Sequence, residues 1–437
     1  MKLKSYKKKE FSFKGKCAFT ALIILILQVL SCIPIYGINR EYLSMWLTDE
    51  MQNAFSLFNL FSGNAFSNMS IFVIGISPFI TASIILQLLT MAIPKLEEMV
   101  KDGKVGQDKY KKLNYIVAGC LAVVQSIPIA MNFGAQGLLI EYNFKYVSIV
   151  TVTMILGSLL MIFCGKLIDD YGIGNGISLI LLTNILSRLP SDVATIYEMF
   201  CKGKNIGSYI TTIAVSIFVV VVALVGVIYL QDGEKKIKAN SSAKIRGNRN
   251  VTSGYSEIPM KVNMAGVMPV IFASSLFQSY TLIITLCGAS QDSIWYKISR
   301  YLYTGNWFDV NNMKYTIGFV LYCLLIYFFT YFYSSIVFNP IEVSNNLKKQ
   351  GAMINGVRPG KPTVDYLTEK MKSLRIVGAI MLIGVCLIPI LVAAFSGLQS
   401  LSFGGTSIII IVGVILETYQ KINSERLVKK LPGFLSK

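Results

Sequence analysis

Histidine is missing from all 437 residues. Its absence removes the commonest general base and metal ligand. Charge is sparse too: 15% of residues are Asp, Glu, Lys or Arg, against 54% hydrophobic. A soluble domain of this length needs more polar surface, so the composition points to an integral membrane protein. No Walker motif is present, so the chain does not hydrolyse ATP itself. No C-x-x-C spacing occurs either. The 8 Cys lie almost all in apolar runs, with only Cys201 clearly in a loop, and read as reduced and structural. No cofactor or metal is expected.

What the chain has in plenty is long apolar runs. Those able to cross a bilayer lie at roughly 18–36, 71–93, 114–133, 147–167, 173–190, 209–230, 264–287, 315–338, 375–396 and 404–420. They predict an all-α polytopic membrane protein of ten spans. The first run follows the basic stretch "MKLKSYKKKEFSFKGK". It is long, has no small-residue cleavage site and precedes further spans, so it reads as a retained helix. No span holds a charge in its middle, and Glu417 sits near an end. Coupled transporters keep an ionisable residue inside the membrane, so this absence argues against one.

The 41 Lys and Arg fall mainly in alternate connections: the N-terminus, 94–113, 231–263, 339–374 and the tail. That bias puts both termini in the cytoplasm. The net charge of +18 therefore needs no nucleic acid to explain it.

The uncharged stretch "SIFVIGISPFITASIILQLL", Ser70 to Leu89, has a twin. "GISPFITASIILQ" starts at Gly75 and "GVMPVIFASSLFQ" at Gly266. Gly75/Gly266, Pro78/Pro269, Ile80/Ile271, Ala82/Ala273, Ser83/Ser274 and Gln87/Gln278 pair at one offset. The copies lie in spans 2 and 7, the second span of each five-span half. An odd number of spans per half gives the halves opposite orientation, as in inverted repeats whose interrupted helices face a shared site. Each Pro is expected to break a hydrogen bond within its span. The preceding segment, Met51 to Met69, is apolar but too broken to span. It reads as an external interfacial helix or a re-entrant piece that lines or blocks a cavity.

Five motifs in order then resemble one family, the SecY channel subunits of the protein translocase. They are the Ser70–Leu89 stretch, "GIGNGISLI" (Gly172 to Ile180), "PMKVNMAGVMPVIFASSL" (Pro259 to Leu276), "FNPIEVSNNLKKQGAMINGVRPGKPT" (Phe338 to Thr363) and "FGGTSIII" (Phe403 to Ile410). The resemblance implies a non-enzymatic channel of two inverted halves, spans 1–5 at 18–190 and spans 6–10 at 209–420. An external hinge at 191–208 would join them, with cytoplasmic ends at 1–17 and 421–437. It implies an apolar pore ring of Ile76, Ile80, Ile177, Leu181, Ile271 and Ile410. A narrow apolar constriction dewets and blocks ions, yet its side chains can part for a polypeptide. A lateral gate between spans 2 and 7 is implied, with Ser83, Gln87, Gln125 and Ser274 as candidate polar contacts. Residues 51–69 match the family's plug, centred on Phe61, Ser62, Gly63, Asn64, Ala65, Phe66 and Ser67.

The cytoplasmic loops 231–263 and 339–374 resemble docking sites for the ribosome and the SecA motor. Arg358, between Gly356 and Pro359-Gly360, should stand at a turn tip and make forked contacts to carboxylate or phosphate. Lys348 and Lys349 join it. Lys235 and Lys236 stand where bacterial members commonly carry Arg-Arg, and a Tyr-bearing run is replaced around Ser241 to Lys244. Lys lacks the fork, so contacts there are expected to be more electrostatic and salt-dependent. The implied partners are SecE-like and SecG-like subunits, SecA, the ribosome, signal peptides, unfolded preproteins and lipid, at a bacterial plasma membrane. A small-solute transporter and an accessory translocase or scaffold remain alternatives.

Overall fold

A computed structural model describes residues 13–39, 62–63, 65–200, 206–241, 255–286, 293–303, 307–308, 313–396 and 402–430. Every apolar run carries a helix. In chain order the helices are α1 (Phe13–Leu30), α2 (Ser77–Ala92), α3 (Pro94–Lys101), α4 (Gly103–Ala135), α5 (Phe144–Tyr171), α6 (Gly176–Phe200) and α7 (Ile206–Asp232). Then come α8 (Met268–Leu286), α9 (Ile294–Leu302), α10 (Thr316–Val337), α11 (Pro340–Gln350), α12 (Lys361–Ser396) and α13 (Ser402–Lys430). Among the described residues, five helices are long and apolar enough to cross a membrane, or up to six if α2 and α3 count as one bent span. Exposed Leu, Ile, Val and Phe cover α5 and α10, as expected of helices solvated by lipid. The protein is a multi-pass, predominantly α-helical membrane protein.

The chain divides into two compact units. Unit 1 comprises Met1–Lys202, Gln278–Ser299 and Val414–Lys437; unit 2 comprises Gly203–Phe277 and Arg300–Gly413. In unit 1, α4 packs along α2 and α5, and α5 along α1 and α6. Its core joins Ile35, Phe66, Met69, Val73, Ile74, Ile129, Phe133 and Met154. In unit 2, α12 packs against α7, α10 and α11.

The start of α2 corrects the expected mid-span break. Gly75 has φ +58° and Gly266 has φ +63°, the left-handed region that glycine enters without a Cβ penalty. Helix follows at once, from Ser77 and from Met268. Pro78 and Pro269 are thus the second residues of their helices. The missing amide hydrogen costs nothing there, because first-turn amides have no partner within the helix. Residues 70–76 approach α2 as non-helical backbone, buried except at the half-buried Ile71. Four of their amides are satisfied within the protein: Ser70 donates to the Ala65 carbonyl (2.8 Å), Ile71 to that of Ile33 (3.1 Å), Phe72 to Ser70 Oγ (3.3 Å) and Val73 to the Ser70 carbonyl (3.0 Å). Pro78→Ala should therefore change stability by less than about 1 kcal/mol. Gly75→Ala should cost roughly 1–2 kcal/mol from backbone strain alone. Thermal unfolding in detergent separates the two.

The span sequence also omitted a sheet. Strands β1 (Glu234–Ser241), β2 (Tyr255–Lys261) and β3 (Ala352–Ile354) form an antiparallel sheet in the order β2-β1-β3. Lys236 lies opposite Pro259, and Asn240 lies opposite both Tyr255 and Met353. The two basic loops are therefore one structure, with a shared core of Ile237, Ala239, Met260, Leu347, Ile354, Leu367 and Met371.

Candidate functional site

Each ring residue is buried, and each arrives there by local chemistry. Ile76 caps the N-terminus of α2, and Ile80 sits in its first turn. Ile177 and Leu181 lie in the first two turns of α6, one helical turn apart on one face. Ile271 falls in the first turn of α8 and Ile410 within α13. Ile177 is seated by glycine: a Cβ on Gly165 of α5 would come within 2.6 Å of its Cδ1. Ile76, Ile80, Ile177 and Leu181 belong to unit 1, Ile271 and Ile410 to unit 2.

The polar residues of spans 2, 3 and 7 differ in their surroundings. Asn114 Nδ2 of α4 donates to Ser83 Oγ at 2.8 Å, closing that hydroxyl inside unit 1. Ser274 turns into unit 2: its Oγ donates to the Val270 carbonyl at 2.8 Å and lies 3.2 Å from Tyr322 Oη. Gln87 Oε1 and Gln125 Oε1 are buried without a hydrogen-bond partner among the described residues. An unmet buried acceptor costs about 1–3 kcal/mol.

In the 51–69 segment, Phe61 and Asn64 lie outside the described residues, as does 51–60. The rest is packed into unit 1. Ser62, Gly63, Ala65 and Phe66 are buried and Ser67 half-buried. The Phe66 and Phe133 rings meet edge to face at 6.0 Å. Gly63 lies against the Asn184 backbone of α6, and its carbonyl accepts from Ser187 Oγ at 3.3 Å. The segment is thereby fastened to the helix that carries Ile177 and Leu181.

The basic loop is built from helix-ending rules. Asn339 caps α11, accepting from the Ile341 and Glu342 amides, with Pro340 in the first turn. Lys348 and Lys349 occupy the last turn, where cations suit the helix dipole, and Gly351 ends it at φ +67°. Beyond β3 the chain turns twice. The Arg358 carbonyl accepts from Thr363 Oγ1 (2.8 Å), and the Gly360 carbonyl from Ser344 Oγ (3.2 Å) and the Thr363 amide (3.1 Å). The Arg358 side chain is exposed, with no partner among the described residues. Lys235 and Lys236 are exposed on β1. Lys236 Nζ meets Glu257 at 3.5 Å, an exposed pair of little net strength. Residues 242–254, which hold most of the replaced run, lie outside the described residues.

The sheet and several side chains were missed from the sequence. Alternation in Lys236, Ile237, Lys238 and Ala239 could have revealed β1. Arg375 had no such signal. It is buried at the start of span 9, stacked on the Tyr331 ring at 4.4 Å with Nη1 3.1 Å from Ser335 Oγ.

The SecY family model matches residues 70–419. The chain is 36% identical to the protein translocase subunit SecY of Bacillus subtilis, over 97% of this chain and 96% of that one. A solved protein-conducting channel matches with TM-score 0.67 and 16% identity, covering 100% of this chain and 98% of the other. Sec61 in a canine ribosome-channel complex from the endoplasmic reticulum matches with TM-score 0.63 and 15% identity, covering 100% and 98%.

Proposed function

Because this chain belongs to the SecY family, we propose that it is the central protein-conducting subunit of a bacterial Sec translocase. In this reading it moves unfolded preproteins across the plasma membrane and releases membrane proteins sideways through a lateral gate. The observation that carries the reading is the matched pair of helix starts. Gly75 and Gly266 both turn the chain through a left-handed residue into a helix that opens Pro-second, each with a buried Ile in its first turn. Two such helix starts supply what a central apolar seal needs: rigid first turns that carry apolar side chains at matched positions.

On this basis ten helices span the membrane with both termini cytoplasmic, and 191–208 is the external hinge between inverted halves. Ile76, Ile80, Ile177, Leu181, Ile271 and Ile410 form the ring. The Ser62–Ser67 piece is the inner end of the plug, held by Ser187. Gln87 and Gln125 are the polar contacts of the gate with buried unmet acceptors, whereas Ser83 and Ser274 hold their own units together. The channel works without chemistry of its own. SecA, the ribosome or the proton motive force drives it, and SecE-like and SecG-like subunits complete it. The docking face is the sheet with Lys235 and Lys236, the end of α11 with Lys348 and Lys349, and the turn with Arg358.

The test is reconstitution. The full chain with a SecE-like subunit in liposomes should import an unfolded preprotein when SecA and ATP are added. A correctly folded complex that imports nothing refutes the reading. The gate has its own test: paired Cys substitutions in α2 and α8 should crosslink on oxidation and arrest import. If no pair across these helices crosslinks, they do not face each other.

A further inference from the structure

The turn Gly172–Gly176, which leads from α5 into α6, holds no residue of the ring, gate or docking face. Side chains from three helices nevertheless bind its backbone. Thr20 Oγ1 of α1 accepts from the Ile173 amide at 3.1 Å. Lys421 Nζ of α13 donates to the Gly174 carbonyl at 2.8 Å. Asp169 Oδ1 at the end of α5 accepts from the Gly176 amide at 2.7 Å, capping α6. Thr418, one turn before Lys421, also lies against Gly174. Lys421 and Lys111 both act electrostatically on the Asp169 carboxylate.

The turn has no slack. A Cβ on Gly176 would come within 2.0 Å of the Gly165 carbonyl oxygen, so backbone touches backbone where α5 and α6 meet. Ile177 is the next residue, and Leu181 follows one turn later. Any shift of the turn moves both side chains as a rigid extension of α6. Two of the ties are charge-assisted hydrogen bonds, the stronger kind.

We propose that Lys421 and Asp169 are positioning residues for the pore seal, latching the Gly172–Gly176 turn so that Ile177 and Leu181 stay in the ring. The inference rests on the ring reading given above and adds to it a control point in the C-terminal helix.

The experiment is single-channel conductance of the full-length protein in planar bilayers with no preprotein present. Losing a hydrogen bond from a charged donor should raise the resting open fraction of Lys421→Met roughly ten- to a hundredfold. Lys421→Arg keeps a charged donor and should return conductance close to that of the parent. Thr20→Val, which loosens the same turn from α1, should leak as well. The readout is per channel, so reduced yield of a variant does not mask it. Leu181→Asn runs alongside as the report on the ring itself. A silent Lys421→Met beside a leaking Leu181→Asn overturns the latch alone. Equal leak from Lys421→Met and Lys421→Arg also overturns it, since a general structural defect behaves that way. If Leu181→Asn is silent, the ring assignment falls, and the latch falls with it.

Discussion

Arg358→Glu is expected to abolish SecA-driven import while leaving the protein folded. The guanidinium is exposed, and the turn beneath it is held by other atoms. Thr363 Oγ1 binds the Arg358 carbonyl, and the Ser344 hydroxyl and the Thr363 amide bind that of Gly360. None of these contacts uses the side chain, so stability should change by no more than about 0.5 kcal/mol. Docking is another matter. Truncating one member of a buried, hydrogen-bonded charge pair at an interface costs about 2–5 kcal/mol, and reversing its sign adds repulsion. A loss of 3 kcal/mol alone weakens binding by roughly two orders of magnitude. Arg358→Lys should give an intermediate defect, because an ammonium keeps the charge and loses the planar fork. Preprotein import and SecA ATPase stimulation measure function, and thermal unfolding in detergent controls for folding. Normal import by the Arg358→Glu protein sinks the assignment. Lys235→Ala and Lys236→Ala should act more weakly and mostly at low salt, since exposed charges are screened.

Ile80→Asn and Ile271→Asn should each make resting membranes leak ions. Both Ile side chains are buried, in the first turns of α2 and α8. An amide introduced there must find water or remain unpaired at a cost of about 1–3 kcal/mol. In a narrow apolar constriction the cheaper outcome is wetting, and a wetted pore conducts. Volume-conserving Ile80→Leu keeps the site dry and should cost less than about 1.5 kcal/mol with no leak. Conductance without preprotein measures the effect. If both Asn variants stay silent in folded protein, these residues are packing side chains and the seal lies elsewhere.

Much of this was legible because it depends on near neighbours in the chain. Apolar length marked the helices. The Gly-x-x-Pro pair marked spans 2 and 7 as matched copies, with each Pro expected to interrupt its helix, whereas in the structure each Pro opens one. Gly75 and Gly266 decide the matter. A left-handed residue ends whatever precedes it, so the Pro that follows falls in a first turn. In the same way Asn339, Pro340, Lys348, Lys349 and Gly351 spell out α11 from cap to stop.

Residue type said less about direction. Ser83 and Ser274 match in the two copies, and each was a candidate for the seam. The structure gives each a partner within its own unit, Asn114 and Tyr322. A hydroxyl on a helix can turn to either neighbour, and only the packed helices choose.

By itself, then, the sequence determined that this is a membrane protein, where its apolar helices run, and which loops carry its positive charge. Those features follow from hydrophobic length and from backbone preferences acting over about four residues. Only the tertiary structure decided that the two basic loops are one sheet, that Phe66 lies in the core of unit 1, and that Lys421 reaches the turn before α6. Each joins segments far apart in the chain. Such contacts are selected by which surfaces meet once the helices have packed, and they leave little trace in the residues on either side.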